Sequence, residues 1–265
     1  MTPHAASEDV IREIERRVCE QLRDWPCEWQ GYHWPEYTLQ HTYRVRDLAV
    51  EMGRREGADA FVLEAAALLH DIGKPLGDDH AARGAREAGK ILADLDVDLI
   101  EQAAITSAVE THIGLAGERD PIENRILADA DYLDANFGLI AVWRYITIRG
   151  HRRDPLLTQT QEMSAWLAKR RPTIEQLTTQ GGRAIAAARY QRMVGFCDRL
   201  REEHEAGQPG GNVFLWQAFT DHAQAVKKPD VHASIGEVET KCSAAQGSAV
   251  QMFVQEIRAE IAGRL

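Results

Sequence analysis

An all-α fold is what the sequence predicts, and three observations predict it. Apolar residues recur at steps of three and four along most of the 265-residue chain, the period of a helix with one buried stripe. No segment alternates apolar and polar residues as a half-buried strand does, and no Asn-Gly or Asp-Gly pair marks a hairpin. No internal repeat points to a strand-built array.

The elements follow in order. Residues 8–24 are predicted to form an amphipathic helix, with Val10, Ile14, Val18 and Leu22 on one stripe. The stretch WPCEWQGYHWPEY, residues 25–37, reads as an ordered aromatic loop; core packing is expected for two of its three tryptophans, while the group could also wall a pocket. A helix over about 39–56 places His41, Val45, Leu48 and Met52 together on its buried face. The next, about 59–71, is nearly all apolar and therefore central; Gly73 suits its C-terminal cap and Pro75 stops its continuation.

After the loop KPLGDD, a helix is expected from His80, sharing its stripe with Gly84, Ala88 and Ile91, and Asp78 or Asp79 is expected to cap it. The helix at about 97–112 carries Ile105, Ala108, Val109 and His112 on one face. Beyond Pro121 a single long helix is predicted over about 122–149, with Leu127, Asp131 and Gly138 in register, Asp134 near Asp131, and Asp129 pointing elsewhere. Further helices are expected at about 156–170, 173–205, 212–226 and 243–264, with loops near 205–212 and 227–237. His151, His204, His222 and His232 in this half share no metal-like grouping and read as surface or structural residues.

Bulk properties narrow the function. The net charge of −10 and pI near 5.5 argue against nucleic acid or an anionic membrane as a general partner. Cys19, Cys27, Cys197 and Cys242 form no C-x-x-C pair, which reads as reduced thiols in a cytoplasmic protein. The opening MTPHAASEDV has no signal pattern, and no apolar run approaches the roughly 20 residues of a membrane span.

The chemistry concentrates on faces that should be buried. His41, His70 with Asp71, His80, His112 and Asp131 each fall on an apolar helical stripe. One such histidine is usually a hydrogen-bonded core residue. Five successive helices offering one each is a different matter, because burying that many ionisable groups is unfavourable without compensation. A cation compensates, since neutral imidazoles and carboxylates are its ligands.

Three stretches, H-T-Y-R-V from His41, L-L-H-D-I-G-K from Leu68 and A-D-Y-L-D-A from Ala130, resemble the HD-domain superfamily of metal-dependent phosphohydrolases, whose pattern is H…HD…D. The likeness covers roughly residues 36–145, and His41 stands 29 residues before His70, within the family's range. It implies an HD-domain helical bundle over 36–150; apart from the resemblance, the helix and aromatic loop of residues 1–35 are expected to pack on that bundle, and residues 151–265, which match no motif, to form a C-terminal helical extension serving as lid or homodimer interface. It further implies that His41, His70, Asp71 and Asp131 hold one metal, with Asp71 at the position that bridges two ions in two-metal members. His80 and His112 fit the extra ligands of those branches; contact with substrate is the other reading. The signature of cyclic di-GMP phosphodiesterases is absent.

The activity implied is attack of metal-activated water on a small phosphate ester or anhydride, a nucleotide among the candidates. A His-rich donor set favours one or two ions of Mn, Fe, Ni, Co or Zn over magnesium. Asp71 and Lys74 are the catalytic candidates, and Lys74, Arg44 and Arg83 the candidates for gripping phosphate. Asp134 and Glu110 could orient ligand imidazoles from behind. Two rivals are a di-iron oxygenase on the same scaffold and a non-catalytic module that senses nucleotides.

Overall fold

The computed structural model describes residues 3–26, 34–207, 210–243 and 247–263. Among these residues there are twelve α-helices and no strand, so the chain is all-α. They fall into two compact units, one built on residues up to 26, 34–134 and 176–183, the other on 135–175 and 184–263.

The first unit surrounds α3 (Ala60–Leu69), where Ala65 through Leu69 are wholly buried. Asp59 starts this helix by accepting the Val62 N–H. On it pack α1 (Pro3–Leu22), through Ile14, Val18 and Leu22, and α2 (Pro35–Glu56). Trp34, extended and fully buried, precedes Pro35 at the first turn of α2, where the missing N–H costs nothing. Gly57, at φ +75°, ends that helix in the left-handed region. Trp25 is part-buried, while the rest of the aromatic loop, 27–33, lies outside the described residues. The pair α4 (His80–Asp94) and α5 (Leu99–Thr111) also packs on α3, and α6 (Ile122–Asn136) belongs to this unit up to Asp134.

Two expectations about this unit are corrected. Gly73 is no left-handed cap: its φ is −80°, and it is needed because a Cβ there would lie 2.0 Å from the His80 carbonyl oxygen and 2.6 Å from the Gly84 nitrogen. The glycine thus lets the turn after the HD doublet lie directly on α4. Asp79 does sit at the N-cap of α4 but makes no side-chain cap bond, since its φ of 61° takes the backbone out of capping geometry.

The predicted 122–149 helix is also divided. Phe137 and Gly138 interrupt it, with Gly138 at φ +105°, and α7 (Leu139–His151) begins afresh in the second unit. There the Glu260 carboxylate accepts from Leu139 N at 2.7 Å and Ile140 N at 3.2 Å, supplying a cap from a helix 120 residues away. The second unit continues with α8 (Leu156–Arg170), a 3-10 turn at Arg171–Ile174, α9 (Gln180–Glu205) from Ala184 onward, α10 (Gly211–Ala225), α11 (Val231–Lys241) and α12 (Gly247–Ile261). The segment read as the loop 227–237 is largely α11, started by Asp230 accepting from Ala233 N.

Candidate metal centre

Five helices bring the chemistry together at their ends and faces. The helical period carries His41 inward from α2, and the end of α3 delivers His70 and Asp71 as the chain turns toward Gly73. His80 opens α4, His112 closes α5, and α6 supplies Asp131 and Asp134. His41, His70, Asp71, His112 and Asp134 are all at most 1% exposed.

Asp71 is the pivot. Its Oδ2 lies 3.4 Å from His70 Nε2 and 3.7 Å from His41 Nε2. Its Oδ1 lies 3.7 Å from His80 Nε2 and 3.8 Å from His112 Nε2. One carboxylate therefore faces two pairs of imidazoles, giving two triads, His41–His70–Asp71 and Asp71–His80–His112, each with ligand atoms within 4.8 Å of one another. Asp131 joins the first: its Oδ1 stands 2.9 Å from His41 Nε2 and 4.0 Å from His70 Nε2.

The outward sides of the rings fix their chemistry. His70 Nδ1 is 2.7 Å from the Ala67 carbonyl and His112 Nδ1 is 2.6 Å from that of Val109. A carbonyl can only accept, so each Nδ1 donates, and in the neutral rings Nε2 is a bare acceptor. Those acceptors face carboxylate oxygens in a space from which water is largely excluded. Lone pairs gathered in this way repel one another until a cation lies among them, so the residues present fit a divalent ion.

Electrostatics agree. Burial alone would raise the Asp71 and Asp131 carboxyls, but the Lys74 ammonium beside Asp71 and the His41 hydrogen bond to Asp131 prevail and hold both well below the usual carboxylate range. Burial pushes His112 down to about 4 and lowers His80, keeping both rings neutral as ligands must be. For His41 burial opposes protonation, yet bonds to Asp131 and Asp134 outweigh it and raise the ring. The Nε2 proton this implies is the one a cation would displace.

The remaining candidates divide. Lys74 Nζ stands 2.5 Å from Asp71 Oδ2, so its charge is at the site. Arg44 does not project into a substrate space: it is 3% exposed, and its Nε and Nη2 donate at 2.8 and 2.9 Å to the two oxygens of Asp134. Arg83 is exposed and donates to the Leu76 carbonyl. Asp134 does stand behind a ligand imidazole, 2.6 Å from His41 Nδ1, whereas Glu110 is exposed and reaches none. Asp129 points away, accepting from Thr178 and Thr179. Sequence reasoning missed Tyr37, whose ring stacks on His41 at 5.9 Å; its place four residues earlier on the same helix was the available signal.

Fold and centre together define a helical domain built around a His/Asp cation nest. A family model described as HD domain matches residues 38–136. The crystal structure of a predicted HD superfamily hydrolase from an uncultured Thermotogales bacterium is 30% identical, covering 72% of this chain and 91% of that one, with a TM-score of 0.53. The uncharacterized protein YpgQ of Bacillus subtilis is 28% identical over 204 residues, 71% of this chain and 95% of YpgQ. The structure of YpgQ in complex with ADP has a TM-score of 0.57 over 75% of this chain and 96% of that one; at 23% identity that likeness concerns the fold. The chain belongs to the HD-domain superfamily, among its hydrolases.

Proposed function

We propose that the protein is a metal-dependent phosphohydrolase acting on a small phosphate ester or anhydride, with nucleotides as the substrate class. The observation that carries the reading is Asp71, whose two oxygens face separate histidine pairs. His41, His70, Asp71 and Asp131 would hold one ion, and Asp71, His80 and His112 a second. An ion so held lowers the pKa of a water and draws charge from a phosphoryl oxygen.

The chain's own residues do the rest. Asp71 ties the two nests together and accepts from the Lys74 ammonium, which presents positive charge where phosphoryl oxygens become more negative. Asp134, itself held by Arg44, keeps His41 turned so that Nε2 faces inward. Arg83, exposed on α4 one turn past His80, is the remaining arginine for a phosphate contact. Buried His70 and His112 keep solvent from the inner wall.

The ADP complex of YpgQ makes nucleotides the first panel to test. Protein loaded in turn with Mn, Fe, Co, Ni and Zn is incubated anaerobically with nucleoside mono-, di- and triphosphates, and released phosphate or pyrophosphate is measured. Release that disappears in Asp71→Ala is expected. No release from any nucleotide with the metal sites filled would refute the proposal, and oxygen uptake by the iron form would then favour the oxygenase.

A further inference from the structure

We infer that the segment Gln176–Arg183 is a strap that positions α6, and that Asp129 is the positioning residue through which it sets Asp131 in the first nest. The inference rests on reading His41, His70, Asp71 and Asp131 as that nest. The chain leaves the first unit after Asp134 and returns to it at Gln176, before α9 runs on into the second.

The strap is bonded to α6 at several points. The Asp129 carboxylate, fully buried, accepts from Thr178 N at 3.1 Å, from Thr179 N at 2.8 Å and from the Thr179 hydroxyl at 2.7 Å. One turn earlier on the same face of α6, the Arg125 guanidinium donates to the Thr178 carbonyl. The Thr179 hydroxyl in turn accepts from Gly182 N at 2.9 Å, and a Cβ on Gly182 would lie 2.8 Å from Asp129 Oδ2, so the approach needs glycine. The strap also reaches α2, where Glu56 accepts from Gly181 N at 2.9 Å. A carboxylate is costly to bury, and three donors from one short segment compensate this one.

Stability alone does not account for where these bonds fall. Asp129 precedes Asp131 by two positions on α6, a rotation of about 200°, so the strap grips the face opposite the one that bears Asp131. The rise between them is only about 3 Å, which leaves no hinge between grip and ligand. The members of the first nest also differ in what fixes them. His41, His70 and Asp71 are at most 1% exposed and are wedged by packing, whereas the Asp131 side chain is 23% exposed. Apart from its 2.9 Å approach to His41, that carboxylate is placed by the backbone of α6. On the nest side α6 is held by Asp134, through His41 and Arg44. With the strap released, α6 is free to rock about that anchor and to carry Asp131 away from His70.

The test is cobalt(II) titration of the full chain in a His112→Ala background, where the first nest alone is complete. Affinity and the visible absorption of the bound ion are read at a temperature where circular dichroism shows the variants folded. Asp129→Ala is expected to weaken cobalt binding about tenfold and to alter the spectrum. Thr179→Val keeps the amides and removes the hydroxyl donor; it should act in the same direction by less, and it carries the test if Asp129→Ala does not fold. Asp129→Asn keeps an acceptor for both amides and should bind within about threefold of the parent. Glu260→Ala, which weakens the second unit instead, should bind as the parent does. Unchanged affinity in folded Asp129→Ala, or in Thr179→Val where that variant carries the test, would overturn the positioning role and leave the nest standing. So would Asp129→Asn as weak as Asp129→Ala, or an equal loss in Glu260→Ala. Failure of the His112→Ala parent itself to bind cobalt would refute the nest, and the strap's role with it.

Discussion

Replacing Asp134 with leucine should separate two roles that one carboxylate plays. Asp134 is fully buried, takes two hydrogen bonds from Arg44 and stands 2.6 Å from His41 Nδ1. Removing it strips Arg44, 3% exposed, of this partner. Breaking such a buried pair costs about 3–5 kcal/mol, which for a domain of this size lowers Tm by roughly 6–20 °C. It also frees His41 to rotate or change tautomer, and loss of such a backing group weakens metal binding about 10–100-fold. The double variant Arg44→Met with Asp134→Leu replaces both charges by apolar groups, so most of the stability should return. The metal affinity should not return, because His41 Nδ1 still lacks its acceptor. The assays are thermal unfolding of chelator-treated protein and metal titration against a competing chromophore. A single variant with wild-type Tm and wild-type metal affinity would refute the reasoning; so would a double variant whose metal binding recovers.

Three other outcomes are expected. Gly73→Ala forces a Cβ against the His80 carbonyl and the Gly84 nitrogen, both backbone, so it should cost at least about 1–3 kcal/mol and displace the start of α4; calorimetry and metal content should both fall, and unchanged values would contradict the close approach. Glu260→Ala removes the acceptor for the first amides of α7 and should destabilise by about 1–3 kcal/mol, read as a lower denaturant midpoint; an unmoved midpoint would mean α7 needs no cap. Burial pushes the Cys197 thiol up to about 12, so iodoacetamide at pH 8 should spare it in the native protein and label it in urea; native labelling as fast as at part-exposed Cys242 would show the site is open.

The inward residues of the first unit were legible because helical period is a local property. The steps of three and four that bury Val45, Leu48 and Met52 also fix the direction of His41, and the stripe of α4 places His80 beside Gly84. Residues acting through distant partners were not legible. Glu260 is one more polar residue near the end of the chain until α12 brings it to Leu139. Gly138 sits in an apolar run that reads as continuous helix, and only its positive φ reveals the break. Gly73 follows the doublet where a cap would, and its true constraint, the backbone of α4, begins seven residues later. Arg44 looked available for phosphate because its acceptor, Asp134, lies 90 residues on.

Asp71 joining two cation nests is tested most directly by counting bound metal. Wild-type protein, metal-loaded and freed of excess, should carry about two equivalents by elemental analysis, His112→Ala about one, and Asp71→Ala close to none. The same metal content in wild type and His112→Ala would contradict the second nest, and full content in Asp71→Ala would contradict the centre itself.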